Sequence, residues 1–286
     1  MSERLTIVGV GLIGGSFGLA LKAAGFDGEI VGCGRREQPL ERAVELGAID
    51  HWSTDPAEAA ADADTVLLAV PMLAMRKVLE QLAGTLPGDA IVTDAGSSKG
   101  SFVRDARMLD NPGRVVPGHP IAGTEHSGVE AAFATLFVDR RVILTPTQDT
   151  DRQALLRVEN LWRMTGAIVE TTDVQTHDRL LAATSHLPHM LAFGLVATLA
   201  GMQEEDDIFR YAAGGFRDFT RIASSDPVMW RDVCIANRDA LLEVLNRYHG
   251  DLQALTELIE RGDSERILEL FQRAKTARDA HVGDLG

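Results

Sequence analysis

A glycine-rich turn near residue 10 constrains the fold more than any other feature of this sequence. Residues 9–14 read GVGLIG, and they directly follow the first β-like run and open the first helical stretch. In that context Gly9 permits a tight turn, Gly11 lets a pyrophosphate approach the backbone, and Gly14 allows the helix to pack closely on the strand. Because free N–H groups at the start of a helix favour a bound phosphate, the turn predicts a dinucleotide site; a purely structural turn is the alternative. The residues that we expect to contact the dinucleotide here are Gly9, Gly11, Leu12, Ile13 and Gly14.

The rest of the first half alternates short apolar runs with helical stretches. Continuous apolar runs such as TVLLAV, residues 65–70, are typical of parallel strands that are covered by helices on both faces. This βαβα order predicts an α/β fold with a Rossmann-type, doubly wound parallel sheet. We expect residues 114–116 and 141–144 to extend that sheet.

Beyond residue 173 the pattern becomes helical. Apolar residues recur at helical spacing, and no further β-like run follows. The predicted helices span residues 174–199, 230–247, 252–261 and 264–280. We therefore predict two domains, a dinucleotide-binding domain over residues 1–172 and an all-α domain over residues 173–286.

The charge balance limits the classes of partner. The chain has 42 Asp and Glu residues against 28 Lys and Arg residues, a net charge of −14, which disfavours nucleic acid and anionic membranes. The longest nearly uncharged apolar stretch, residues 190–202, is shorter than the roughly 20 residues that a membrane span needs. The short polar start leaves no room for a signal peptide, and the two distant cysteines form no ligand cluster. We therefore expect a soluble, cytoplasmic protein.

The segment after the second predicted strand bears on the choice of cofactor. A site for NAD normally carries an Asp or Glu about 20 residues beyond the glycine turn, where it binds the ribose hydroxyls. Here that place holds Gly34, followed by Arg35 and Arg36. The missing acid and the two cations favour the 2′-phosphate of NADP, so both arginines are predicted to bind the cofactor. NAD is the alternative, with Glu37 binding the ribose and the arginines solvated or stacked on adenine.

Two further motifs follow predicted strands of the sheet. DAGSSKG, residues 94–100, brings Ser97 and Ser98 to the carboxyl end of a strand, where open α/β sheets bind ligands. Serines that merely cap a helix are the alternative. In GHPIAGTEH, residues 118–126, His119 is held between a glycine and a proline. Because the ordinary pKa of histidine, about 6.5, suits proton transfer near neutral pH, we predict that His119 is catalytic.

The helical half contributes two more polar motifs. The histidines of SHLPH, residues 185–189, interrupt a strongly apolar stretch, and buried polar groups are costly unless they are paired. We therefore expect one or both to face a cleft, and we expect no metal because no HExxH pattern or supporting carboxylate is present. In GGFRDFTR, residues 214–221, Arg217 and Arg221 are candidate carboxylate ligands, since guanidinium binds carboxylates in bidentate fashion. Surface salt bridges are the alternative.

Taken together, these motifs resemble the prephenate dehydrogenase family, which includes the arogenate and cyclohexadienyl dehydrogenases of tyrosine biosynthesis. The resemblance runs from GVGLIGGS through DAGSSKG, GHPIAGTEHSG and SHLPH to GGFRDFTRIASSDPVMW, in the family's order over nearly the whole chain. It implies NAD(P)-dependent oxidative decarboxylation of prephenate, or of arogenate, by a homodimer that forms through the helical domain. We expect neither the fused chorismate mutase nor the regulatory domain of some relatives. Tyrosine resembles the product, and its inhibition of the enzyme by occupying the active site is a hypothesis.

The resemblance also implies roles for individual residues. His119 matches the family's catalytic histidine, and Ser97 matches the serine that contacts both the substrate hydroxyl and that histidine. Ser98 is a weaker match than Ser97, because the spacing between the two motifs varies by a residue among relatives. Arg221 matches the arginine that binds a substrate carboxylate, whereas Gly34 stands where many relatives carry Asp. Further substrate-binding positions are His189, Glu125, Asp218 and Thr124.

Two other interpretations are left open by the sequence. Another two-domain dehydrogenase, of the β-hydroxyacid dehydrogenase or imine reductase type, would use a lysine or another polar residue on the interdomain helix. A non-catalytic dinucleotide-sensing module would keep the glycine turn but would have no need of His119, Ser97 and Arg221.

Overall fold

The structure is a computed structural model, and it describes residues 3–124, 126–202 and 205–281. Contacts between residues divide the chain into two compact units, Met1–Arg238 and Asp239–Gly286. The first unit contains the glycine turn, two sheets and the long apolar helix, whereas the second unit is helical. The domain division between residues 172 and 173 stays a prediction.

The first unit alternates strands and helices up to β9 and is helical thereafter. Its strands are β1 (Arg4–Val8), β2 (Glu29–Cys33), β3 (His51–Ser53), β4 (Thr65–Leu68), β5 (Ile91–Asp94), β6 (Val115–Val116), β7 (Gly118–Pro120), β8 (Arg141–Leu144) and β9 (Ile168–Thr171). Its helices are α1 (Leu12–Ala23), α2 (Glu37–Glu45), α3 (Pro56–Ala59), α4 (Met72–Leu82), α5 (Lys99–Ala106), α6 (Arg152–Met164), α7 (Val174–Leu181), α8 (Leu187–Ala200), α9 (Glu205–Arg210), α10 (Gly214–Thr220) and α11 (Pro227–Ala236).

Strands β1 to β6 form one parallel sheet in the order β3-β2-β1-β4-β5-β6. This is the order of the doubly wound dinucleotide-binding fold, so the predicted fold class is confirmed. Apolar side chains cover both faces, with Leu5 and Phe17 in the core on one side and Val8 and Phe102 in the core on the other. The chain order reverses between β1 and β4, and sheets of this type bind ligands at the carboxyl ends of the strands beside such a reversal.

The prediction that residues 141–144 extend this sheet is wrong, although the predicted extension at residues 114–116 is confirmed as β6. Strand β8 belongs to a separate sheet, β7-β8-β9, in which it runs antiparallel to β7 and parallel to β9. Pro117 follows β6 and has no N–H to donate to a neighbouring strand, so the chain leaves the parallel sheet there. The small sheet holds His119 in the middle of β7, opposite Ile143.

Helices α7 and α8 form one continuous helix, Val174–Ala200, through the π-helical turn Ala182–His186. This confirms the helix predicted over residues 174–199. With 27 residues and a mean hydropathy of 1.4 in its most apolar window, it is long and apolar enough to cross a membrane by length and composition alone. The helix is also longer than the nearly uncharged apolar stretch at residues 190–202, because it includes α7 and the π-helical turn. Buried core helices pass the same test, and polar side chains of α7 are buried in the first unit.

The second unit consists of α12 (Arg238–Arg261), whose first residue ends the first unit, and α13 (Ser264–His281). The expected break between residues 247 and 252 is wrong, since α12 runs through Gly250. One interior glycine costs a helix only about 1 kcal/mol, which the helix-forming residues around it outweigh. The helix predicted over residues 230–247 is instead interrupted at Asn237, where α11 has ended.

Candidate active site

The glycine turn has the shape of a phosphate-binding loop. Gly9 has a φ of +100°, and a Cβ atom there would overlap the backbone that follows β4. A Cβ atom at Gly14 would overlap the carbonyl oxygen of Gly9, whereas Gly11 faces open space. Helix α1 begins with Leu12 and Ile13, without a side-chain cap and without an acidic residue in its first turn. Its N–H groups and the positive end of its dipole are therefore available to an anionic group such as a pyrophosphate.

The segment after β2 presents two cations to solvent. Arg35 and Arg36 are both exposed, and neither forms an ion pair with the described residues. Gly34 has room for a larger side chain, because a Cβ atom there would make an ordinary contact of 3.4 Å with Leu40. These positions can therefore hold a second anionic group, and Gly34 itself is not required by the packing.

His119 lies at the carboxyl edge of the parallel sheet and is almost fully buried, with 8% of its surface exposed. Strand β7 brings it next to the end of β5, where the backbone N–H of Gly118 donates to the Asp94 carboxylate at 3.1 Å. The Nδ1 atom of His119 lies 2.9 Å from Nε2 of His177 on α7. Burial lowers the pKa of His119 well below its ordinary value, and the neighbouring His177 and Lys99 lower it further. His119 is therefore a neutral imidazole at neutral pH, which suits a proton acceptor.

A buried ion pair lies directly beneath His119. Lys99 and Asp94 are both fully buried, and the Lys99 ammonium donates to the Asp94 carboxylate and, at 2.6 Å, to the carbonyl oxygen of Gly118. Burial raises the pKa of Asp94 and lowers that of Lys99, while the attraction between the two opposes both changes. The pair thus joins the end of β5 to the strand that carries His119.

Asp178 of α7 holds the start of α5 in place. Its carboxylate accepts hydrogen bonds of 2.8 Å from the backbone N–H groups of Lys99 and Gly100, and one of 3.2 Å from the Ser98 hydroxyl. It also lies 2.8 Å from Nδ1 of His177. Burial alone would raise the pKa of Asp178, but the hydrogen bonds from His177 and the two N–H groups outweigh it, so the pKa is lowered. Asp178 is therefore an ionised carboxylate in a mostly buried position.

The two candidate serines have different surroundings. Ser98 is fully buried, and its hydroxyl is already used in the hydrogen bond to Asp178. Ser97 is half-buried, and within the described ranges its hydroxyl forms no hydrogen bond. Only the Ser97 hydroxyl is thus free to contact a ligand.

The two histidines of SHLPH, His186 and His189, are both paired. His186 is buried, and its Nδ1 atom accepts a 3.0 Å hydrogen bond from Asn237, while burial lowers its pKa to about 4. His189 is half-buried and stacks on Trp230, with 3.6 Å between the ring centroids. Its Nδ1 atom donates to the carbonyl oxygen of Ser185 at 2.8 Å. His189 therefore keeps its Nε2 atom for a ligand, whereas His186 has a structural role.

Two family models match this chain. The model described as the nucleotide-binding domain of prephenate dehydrogenase matches residues 17–171, and the model described as its dimerization domain matches residues 173–273. The chain belongs to the prephenate dehydrogenase family. The predicted family, function and enzyme class are thereby confirmed, namely an NAD(P)-dependent oxidoreductase of the prephenate dehydrogenase type, which places it in tyrosine biosynthesis.

Individual relatives agree with this family assignment. The chain is 39% identical over 280 residues to a cyclohexadienyl dehydrogenase of Zymomonas mobilis, covering 96% of this chain and 95% of the relative. It is 36% identical to a prephenate dehydrogenase of Bacillus subtilis, covering 98% of this chain and 76% of that one. The solved structure of prephenate dehydrogenase from A. aeolicus, in complex with hydroxyphenyl propionate and NAD+, is 41% identical with a TM-score of 0.91. That comparison covers 97% of this chain and 98% of the other.

The remaining substrate-binding candidates of this chain form fewer contacts with other residues. Asp218 on α10 and Arg221 directly after it are exposed, and they form no ion pair in the part of the chain that the structure describes. Thr124 is also exposed, and its hydroxyl accepts a 3.2 Å hydrogen bond from the N–H of His126. Glu125 lies outside the described residues. The structure therefore brings His119 and the DAGSSKG segment together but does not join Arg221 to them.

Several residues of the site were not predicted from the sequence. His177 and Asp178 are among them, although an adjacent histidine and aspartate in a helix that continues into a strongly apolar stretch must find polar partners if buried. Lys99 lies within DAGSSKG, but nothing in the sequence shows that it is buried. Trp230 is a further residue without a predicted role, and its indole N–H is buried without a partner among the described residues.

Proposed function

We propose that this chain oxidatively decarboxylates prephenate to 4-hydroxyphenylpyruvate, with His119 as the base that accepts the proton of the substrate's ring hydroxyl. The observation that carries this proposal is the neutral, buried imidazole of His119 at the carboxyl edge of a dinucleotide-binding sheet. The hydroxyphenyl propionate bound in the A. aeolicus relative resembles the expected product and supports an aromatic acid as the ligand.

The reaction needs orientation and a base more than it needs a strong nucleophile. The carbon that bears the hydroxyl loses a hydride, carbon dioxide leaves from the opposite ring carbon, and the ring becomes aromatic, which makes the step strongly favourable. A bound dinucleotide supplies the acceptor for the hydride. His119 accepts the hydroxyl proton as the carbonyl forms, and Ser97 orients that hydroxyl by a hydrogen bond.

The carboxylates of the substrate require cationic ligands in a chain of net charge −14. Arg221 is assigned to one of them, because its exposed guanidinium is not engaged by the described residues and can bind a carboxylate in bidentate fashion. His189 is assigned to packing beside the side chain of the substrate, since Trp230 and Ser185 hold its ring in a fixed orientation. Its Nε2 atom is an acceptor, so it makes no hydrogen bond to the pyruvyl oxygens of prephenate. Thr124, Glu125 and Asp218 complete the proposed substrate-binding set.

The dinucleotide is assigned to the glycine turn, with its pyrophosphate at the start of α1. The open space beside Gly11, and the uncapped start of α1 there, both fit a backbone that a phosphate group approaches closely. We propose that NADP is preferred over NAD, because Arg35 and Arg36 are unpaired cations among the described residues and Gly34 offers no carboxylate.

The assembly and its setting are also proposals. We propose a homodimer through the helical part of the chain, since residues 173–273 match a dimerization domain and Leu195 of the apolar helix α8 is 37% exposed. A cytoplasmic location fits the class of relatives. Tyrosine is proposed as an inhibitor that competes with prephenate for the active site, because it differs from the expected product only by an amino group in place of the keto oxygen.

Arogenate is a second candidate substrate. It differs from prephenate by an amino group in place of the keto oxygen, and one of the relatives is named a cyclohexadienyl dehydrogenase. The Nε2 atom of His189, left free by the hydrogen bond from Nδ1 to Ser185, could accept a hydrogen bond from that amino group.

The proposal is tested by absorbance at 340 nm in four mixtures, prephenate or arogenate with NAD+ or NADP+. We expect turnover with prephenate, at a higher kcat/KM with NADP+ than with NAD+. Folded protein that binds a dinucleotide but is silent in all four mixtures would overturn the proposal. Addition of tyrosine at several prephenate concentrations tests the inhibitor, and competition at the active site predicts a raised apparent KM at constant kcat.

A further inference from the structure

Three side chains form a continuous hydrogen-bonded chain that ends at His119. Nδ1 of His119 lies 2.9 Å from Nε2 of His177, and Nδ1 of His177 lies 2.8 Å from a carboxylate oxygen of Asp178. All three are buried, with 8%, 0% and 9% of their surfaces exposed. Because these groups are almost completely buried, the hydrogen bonds that join them must pair a donor with an acceptor at each step.

The direction of every hydrogen bond in this chain follows from its carboxylate end. Asp178 accepts from the N–H groups of Lys99 and Gly100 and from the Ser98 hydroxyl, so it is ionised and can only accept. The bond to His177 must therefore be donated by Nδ1–H of His177. In the neutral form of His177 the ring carries a single N–H, and Asp178 accepts it, so Nε2 of His177 is an acceptor.

That acceptor fixes the tautomer of His119. Since Nε2 of His177 accepts, Nδ1 of His119 must carry the proton and donate it, and Nε2 of His119 is left with a lone pair. Nε2 of His119, which makes no hydrogen bond to His177, is thus the basic nitrogen. In the opposite tautomer, two lone pairs would face each other at 2.9 Å in a buried position.

We infer that His177 and Asp178 are positioning residues that hold His119 in the tautomer whose Nε2 atom accepts the substrate proton. This inference rests on the proposed role of His119 as the base. In the step, the O–H bond of the substrate breaks and its proton bonds to Nε2, the O–H electron pair forms the C=O bond, and the C–H electron pair would leave as hydride to a bound dinucleotide. His119 carries a positive charge at this stage, which Asp178 stabilises through His177 without any second proton transfer. When carbon dioxide leaves and the ring becomes aromatic, the oxygen takes a proton back and is a hydroxyl again.

The other polar groups around His119 favour its neutral form before the reaction. Three groups that can carry a positive charge lie near His119, namely His177, His186 of the π-helical turn, and Lys99 of α5, which donates to the carbonyl oxygen of Gly118. Each of them lowers the pKa of His119. No carboxylate contacts His119 directly among the described residues. His119 is therefore uncharged before the reaction, and the Asp178 carboxylate, which stabilises its charged form, acts only through His177.

The tautomer can be measured without any substrate. In the protein labelled with ¹⁵N-histidine at neutral pH, with the resonances of His119 assigned from His119→Asn, we expect Nδ1 to show the shift of a protonated nitrogen and Nε2 that of an unprotonated nitrogen. A protonated Nε2 would overturn the inference. Because this experiment uses no turnover, it distinguishes failure of the inference from failure of the proposed reaction.

Kinetics of variants provide the second test. His177→Gln keeps a carbonyl acceptor near the position of Nε2, whereas His177→Met removes it. We expect kcat with prephenate to fall about 100-fold or more in H177M and less than about 10-fold in H177Q, with little change in KM in either. Equal losses in both variants, or full activity in H177M, would overturn the inference. If H177M fails to fold, H177Q and the ¹⁵N measurement still decide.

Asp178 has a matched control in Asp232. Asp232 of α11 is also buried, and its carboxylate accepts hydrogen bonds of 3.3 Å from the N–H of Leu73 in the first turn of α4 and of 2.9 Å from Arg231. Among the described residues it forms no hydrogen bond to a histidine. Asp178→Asn should lower kcat and also change the ¹⁵N shifts of His119. Asp232→Asn likewise removes the charge of a buried carboxylate that accepts from the N–H of a helix, and it should leave both unchanged. Similar kcat and shifts in D178N and D232N would show that Asp178 is only structural.

Discussion

The polar residues around His119 and the arginines assigned to ligand binding differ in how the chain holds them. His119, Lys99 and Asp94 are buried, and each is bonded to another group of the protein. Arg35 and Arg221 are exposed and unpaired among the described residues. A buried polar group must form its hydrogen bonds with other groups of the protein, because no water is available. An exposed guanidinium is hydrated and can exchange that water for an anionic ligand. The residues around His119 are therefore positioned when the protein folds, whereas the exposed arginines gain their partners only when a ligand binds.

The largest effect is expected where the buried ion pair is broken. Lys99→Met leaves the Asp94 carboxylate buried without its cation, so the free energy of unfolding should fall by about 3–5 kcal/mol. Denaturation in urea measures this. Lys77→Met on the exposed surface of α4 is the control and should change stability by less than about 0.5 kcal/mol. Equal stability of K99M and wild type would contradict the difference drawn between the buried and exposed groups.

On the exposed side, Arg221→Gln should weaken substrate binding and leave the fold intact. A hydrogen-bonded charge pair contributes about 1.5–3 kcal/mol, so KM for prephenate should rise about 10–100-fold with a smaller change in kcat. Steady-state kinetics give both values. Arg210→Gln, which changes an exposed arginine paired with Asp207, serves as the control. An unchanged KM in R221Q would remove Arg221 from the site.

The exposed arginines after β2 predict a smaller effect on cofactor choice. Gly34→Asp fits the available space, and its carboxylate would repel a 2′-phosphate and bind the ribose hydroxyls instead. We expect the ratio of kcat/KM for NADP+ to that for NAD+ to fall about tenfold, equivalent to about 1.4 kcal/mol. Gly88→Asp adds the same charge at an exposed remote loop and should leave the ratio unchanged. A wild-type enzyme that already prefers NAD+ would reverse the assignment of Arg35 and Arg36.

The smallest expected effect concerns pH. The pKa of His119 is lowered by burial and then by His177, Lys99 and His186, and only the neutral form can accept a proton. Activity should therefore persist below pH 6.5 and be lost only as the pH falls through the lowered pKa. The acid limb of kcat/KM against pH measures this value for the free enzyme. An acid limb at or above pH 6.5 would contradict a lowered pKa for His119.

Much of the fold could be predicted from sequence because its signals are local. The glycine turn and the continuous apolar runs determine the order of strands and helices, and the parallel sheet follows from that order. The small sheet β7-β8-β9 was not predicted, since the pairing of β8 with β7 depends on where Pro117 lets the chain leave the main sheet. The break at Asn237 depends on a tertiary contact, because its side chain donates to the carbonyl oxygen of Asp178 at 2.9 Å.

The candidate site was predicted only in part for a similar reason. His119 and Ser97 lie in recognisable motifs beside strand ends, so their positions follow from the sheet. His177 and Asp178 lie about 60 residues further along the chain, and only the packing of α7 against α5 and β7 brings them to His119. The identity of a buried partner is therefore a property of tertiary structure, even where each partner is an obvious polar residue.

The most direct test of the account is the kcat of His119→Asn with prephenate, together with the dissociation constant for the dinucleotide. General-base catalysis contributes about 10²–10⁴-fold, so we predict a loss of that size in kcat, little change in KM and unchanged dinucleotide binding. His51→Asn, which changes an exposed histidine on β3, should behave as wild type. Normal turnover in H119N would contradict the assignment of His119 as the base.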